Sequence, residues 1–144
     1  MIESRDFIDP SIKLYYQAPR NKLEQIMQKG LTPQTLPDCG SRVRGKPAIF
    51  CLLQPQDAIL DDLKDEHVLL EVHADPRFCQ VADKSLWKKY RKLLKEETFE
   101  EASQVIKEYD QQALPLRIYR QGMLKEPEVL VRTSIPPEQI TIKE

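Results

Sequence analysis

Glycine is scarce in this chain, at four of 144 residues, while eleven prolines supply the punctuation. That pairing suits a domain with several abrupt chain reversals. Cysteine is scarce as well. Cys39, Cys51 and Cys79 are odd in number and contain no Cys-x-x-Cys pair, which argues against a disulfide framework and a structural zinc site and favours a reducing compartment. The two histidines, His67 and His73, lie six apart without a metal-ligand pattern, so a surface or hydrogen-bonded role is the simpler reading. No apolar run approaches the ~18 residues of a membrane span. The N-terminus, Met1-Ile2-Glu3-Ser4-Arg5-Asp6, carries no signal-peptide pattern. A cytoplasmic protein with no membrane partner is expected. An excess of charge of one sign is also missing. With 22 basic and 23 acidic side chains the net charge is −1, so any nucleic-acid contact has to come from local clustering.

What the chain does have is the composition of one globular domain over residues 1–144, 40% hydrophobic and 31% charged. That length buries about two-thirds of the surface of the unfolded chain. Ile12-Lys13-Leu14-Tyr15-Tyr16 alternates and reads as a strand. Asn21 with Glu24 resembles a capping box ahead of Leu23, Ile26 and Met27, and Gly30-Leu31 is a helix stop. Ala48–Leu53 is a short apolar strand, and Gln54-Pro55-Gln56-Asp57 opens a helix through Ile59, Leu60 and Leu63. Val68–His73 is another strand. Leu86, Tyr90, Leu93 and Leu94 mark one helix. Thr98 with Glu101 caps a second, bearing Phe99, Ala102, Ile106 and Tyr109. Strands at Leu116–Tyr119, 128–132 and 138–142 close the chain. Strands at both ends and helices between them favour an α+β class over a doubly wound sheet.

Two stretches hold candidate chemistry. From Thr32 to Pro47 runs a loop without periodicity, with Pro33, Pro37 and Pro47 and a basic patch of Arg42, Arg44 and Lys46. A loop of ~15 residues in a small domain is more often functional than idle. From Glu126 to Ile140, a carboxylate opens the apolar run Val129-Leu130-Val131. Glu128 thus stands at the mouth of a buried strand, where a dry charge is costly unless something uses it. A third feature is the run Lys84, Lys88, Lys89, Arg91, Lys92 and Lys95 beside Trp87 and Tyr90. It reads as the wet face of a helix or as a phosphate-contacting surface, with Glu96, Glu97, Glu100 and Glu101 directly after it.

The ending Glu128-Val129-Leu130-Val131 … Ile135-Pro136-Pro137-Glu138-Gln139-Ile140 resembles that of ADP-ribosyltransferase-fold proteins, especially the DNA-targeting toxin type. Leu14-Tyr15-Tyr16-Gln17-Ala18-Pro19, then Asn21–Ile26 and Gly30-Leu31, is similar to that family's first strand and helix. Gly45–Phe50 is similar to its second motif, and Val68–Val72 to a core strand. The resemblance implies two small packed β-sheets with flanking helices and a cleft that holds NAD as a substrate. It also implies transfer of ADP-ribose to a macromolecular acceptor, nucleic acid or protein. In that chemistry, breaking the nicotinamide–ribose bond builds positive charge on the ribose. Glu128 would stabilise that charge. Arg42 or Arg44 would grip the diphosphate, and Phe50, with Tyr15 or Tyr16 from the first strand, only one of which can face a cleft, would frame the nicotinamide. Tyr16 stands where the family usually carries histidine. That departure sets a second reading beside the enzyme: a degenerate member that keeps the fold as a binding module. An unrelated α+β adaptor is the third.

Overall fold

A computed structural model describes residues 11–35, 40–57 and 66–143. Two antiparallel sheets and three α-helices make up the regular structure among them, an α+β arrangement. The first sheet has strand order β1 (Ile12–Pro19), β3 (His67–Ala74), β7 (Ile140–Ile142). The second has the order β2 (Ile49–Cys51), β6 (Pro127–Val131), β4 (Cys79–Asp83), β5 (Leu114–Pro115). The sheets meet at one edge, where Tyr15 and Leu52 exchange both backbone hydrogen bonds, at 2.9 and 2.7 Å.

Strand alternation divides the interior into two cores. On β6, Val129 and Val131 face the first sheet, while Leu130 faces the helices. On β2, Ile49 and Cys51 take the first direction and Phe50 the second. The first core fills the space between the sheets with Leu14, Ala18, Leu70, Val72, Val81 and their neighbours. The second lies under α2 (Lys84–Lys95) and α3 (Phe99–Gln112), built from Trp87, Tyr90, Leu93, Val105, Ile106 and Tyr109. The layers are therefore sheet, sheet, helices. α1 (Leu23–Lys29) seals one end through Ile26 and ends at Gly30, whose φ is +83°. A Cβ there would lie 2.3 Å from the Ile135 carbonyl oxygen, because the chain turns directly into the Leu31–Ile135 bridge.

Several local expectations differ from the structure. The turn Arg20–Lys22 is 3₁₀, and α1 starts after it with no side-chain cap, so Asn21 does not cap. Thr98 does occupy the N-cap of α3, but its hydroxyl donates back to the Leu93 carbonyl at 3.1 Å and closes the preceding helix instead. Leu116–Ile118 is a 3₁₀ turn, since Pro115 ends the short β5 before those residues. Likewise Pro137–Gln139 is 3₁₀, and the last strand starts only at Ile140. Strand β4, central in the second sheet, was not expected. The helix anticipated through Ile59, Leu60 and Leu63 lies outside the described residues, past a 3₁₀ turn at Pro55–Asp57.

Candidate functional site

Strand alternation on β6 puts Glu128 on the same face as Leu130, pointing into the helix-side core. There it is 4% exposed. A carboxylate so placed needs a partner, and Arg44 is that partner: its Nη1 donates to Glu128 Oε1 at 2.6 Å. The same nitrogen donates to the Tyr109 hydroxyl at 3.2 Å. The guanidinium carbon sits 4.4 Å from the Phe50 ring centroid and 4.5 Å from that of Trp87. Arg44 is thus a cation stacked between two aromatic rings, with its charge met by a buried carboxylate. Burial works against its charge, yet Glu128's charge and hydrogen bond, followed by Tyr109's, leave its pKa above the ordinary arginine value. Tyr109 is raised too, mainly by burial, with the neighbouring Arg44 pulling the other way.

Loop 41–46 is built to hold Arg44 in place. Asp110, one residue past Tyr109 on α3, accepts from the Ser41 hydroxyl at 2.6 Å and from the backbone N–H groups of Arg42 and Val43 at 3.0 and 3.2 Å. Ser41 Oγ in turn accepts from the Arg44 N–H at 2.9 Å. From the sheet side, Arg132 donates to the carbonyls of Val43, Lys46 and Pro47 and to the Gln80 side chain. Burial holds the Arg132 pKa below its usual value. Asp83, at the end of β4, secures the other side. It caps α2 by accepting from the Ser85 N–H and hydroxyl, and it also accepts from the backbone N–H of Glu126, fixing the start of β6.

The site residues expected from the sequence separate accordingly. Glu128, Arg44 and Phe50 come together. Arg42 is exposed, its backbone N–H held by Asp110, and it does not join them. Tyr16 shares its β1 face with Leu14 and Ala18 and packs into the core between the sheets, on the opposite face of the second sheet from Glu128. Convergence of Tyr16, Phe50 and Glu128 on one cleft is therefore not what the structure shows, and the period-two alternation is the reason. Burial, then Cys51, raises the Tyr16 hydroxyl pKa. Tyr15 lies on the other face of β1 and is tied to Leu52 through its backbone. Asp110, Arg132, Asp83 and Trp87 were missed as site residues. Trp87 stood beside the lysine run, and an acid next to the buried-face residue Tyr109 was a weak signal for Asp110. The other two gave none locally.

Two concavities adjoin these elements. The larger, about 1030 Å³, opens where Ile12, Leu53, Leu116 and Pro127 approach one another, next to segments outside the described residues. The smaller, about 450 Å³, lies on the helix side and is lined by Arg44, Trp87 and five cations of α2. Among the described residues no group of three or more histidine, cysteine or acidic side chains could hold a metal. None of their helices is long and apolar enough to cross a membrane. Comparison with family models, curated proteins and solved structures returns no match.

Proposed function

We propose that this chain is a binding module on an ADP-ribosyltransferase-like scaffold, with its family-type glutamate diverted from catalysis to structure. One observation carries the reading: Glu128 is bonded at 2.6 Å to an arginine stacked between Phe50 and Trp87. A carboxylate that stabilises a ribose cation has to meet the ribose with its charge uncommitted. Here the opposing positive charge is already present and permanent. Tyr16, at the family's histidine position, lies on the other side of the sheet and fills space between the two sheets with its ring. The strand–helix order and the carboxylate at the head of β6 support the scaffold; the ion pair argues against turnover.

Incubation with NAD and measurement of released nicotinamide tests this. Neither the wild-type chain nor the Tyr16→His variant is expected to release nicotinamide above the uncatalysed rate. The active-transferase reading gains the field if the wild type turns over NAD and Glu128→Gln lowers that rate by about 10²–10³ while the protein remains folded.

A further inference from the structure

We propose that the groove along α2 binds a compact, multiply phosphorylated small molecule. This deepens the binding-module reading by naming its ligand class, and it rests on that reading for its biological meaning only. The groove presents Lys84, Lys88, Arg91, Lys92 and Lys95 along one wall, with Arg44 and Trp87 at its base. Positions 84, 88, 91 and 95 follow helical spacing, so these cations form one stripe about 16 Å long.

The stripe is costly to the helix that bears it. Like charges three and four residues apart repel. Lys84 also lies in the first turn, where the helix dipole disfavours a cation, and the N-cap Asp83 beside it is engaged by the Ser85 N–H and hydroxyl and by the Glu126 N–H. Among the described residues two carboxylates engage the groove: Glu126 pairs with Lys88 at 2.8 Å, and Glu128 with Arg44. Among the described residues, Lys84, Lys92 and Lys95 have no carboxylate partner. Cations that crowd one helix face, with Lys84, Lys92 and Lys95 lacking a carboxylate partner among the described residues, are neutralised by an anion bound from outside.

The base of the groove is built rather than incidental. Arg44 is 7% exposed and locked by Glu128, Tyr109 and two rings, and its buried Nε has no hydrogen-bond partner among the described residues. Trp87 has guanidinium groups as ring neighbours, Arg44 at 4.5 Å and Arg91 at 5.8 Å. It is therefore not free to stack on a base, as a single-stranded nucleic-acid site requires. The apolar side chains Trp87, Tyr90 and Leu93 all face inward, so α2 offers nothing to insert into a lipid surface. What remains is recognition by charge alone, in a cavity of about 450 Å³, a size suited to a small ligand. Several phosphoryl groups close together match five closely spaced cations better than one anion does.

Calorimetric titration of the whole chain with inorganic tripolyphosphate, at fixed ionic strength, tests the site. Saturable one-to-one binding is expected, at least about tenfold tighter than for orthophosphate. The paired variant Lys84→Gln/Lys88→Gln should weaken it by about tenfold or more, while Lys107→Gln on α3 leaves it unchanged. Lys88 and Lys107 are exposed and Lys84 is half-buried at the groove wall, so thermal melts should show all variants folded. Tripolyphosphate that binds no better than orthophosphate, or equally well to the paired variant, overturns the proposal. So does tighter binding to a single-stranded oligonucleotide with affinity rising with strand length, or to phosphatidylserine vesicles. Nicotinamide release together with tripolyphosphate binding would remove the binding-module reading and leave the groove standing.

Discussion

The second sheet has two faces made of the same strands with opposite contents. Toward the first sheet it presents Ile49, Cys51, Val81, Val129 and Val131, an apolar surface closed by more apolar side chains. Toward the helices, the intervening positions bring Phe50, Leu130 and Glu128, and a buried arginine is stacked into the layer. The first face is held by burial alone, which is non-directional and tolerant of similar shapes. The second contains a charge pair that is stable only while both partners are present. One residue of register separates them. The lesson is that a polar site can be inserted into a core on one face of a strand without cost to the other, because alternation insulates the two.

The contrast can be broken most severely at Arg44. Arg44→Met keeps the packing between Phe50 and Trp87 but leaves Glu128 buried without its counter-charge. A loss of about 3–5 kcal/mol in denaturant unfolding is expected, because removing one partner strands the other. A smaller effect is expected at the rim of the polar layer. Asp83→Ala removes the α2 cap and the acceptor for the Glu126 N–H, costing about 1–2 kcal/mol in the same assay. The least effect near neutral pH belongs to the dry face. Burial, then Asp75, pushes the Cys79 thiol up to about 12, and burial foremost raises Cys51 as well. In the unfolded chain such thiols ionise at about 8.5. Above that pH the unfolded state holds fewer protons than the folded one, so their contribution is complete below about 8.5 and declines as pH rises toward 12. Thermal melts from pH 7 to 10 should show this decline, with both thiols slow to alkylate until the protein unfolds.

Much of this contrast was legible in the sequence, but unevenly. Strands β1, β3 and β6 carried apolar or alternating runs, and the expected boundaries lie within a few residues of those observed. Strand β4 escaped because Ala82 and Asp83 have little strand preference of their own; the sheet on either side imposes their conformation. Glu128 was conspicuous as a carboxylate in a dry setting, and Arg44 as a cation in a long loop. Their union was not legible, since they are 84 residues apart and local pattern carries no information about such pairings. Tyr16 was legible as a strand residue. Which side of the second sheet it would occupy was not, because that depends on how the two sheets stack.

The central claim is that Glu128 serves the fold through Arg44. It is tested most directly by a double-mutant cycle in denaturant unfolding, with Arg44→Met, Glu128→Gln and the two combined. Each single variant should lose about 3–5 kcal/mol, and the double variant should lose much less than the sum, since both charges leave together. If Glu128→Gln alone leaves stability unchanged or raises it, as removal of a strained catalytic group commonly does, and the two effects simply add, the account is contradicted.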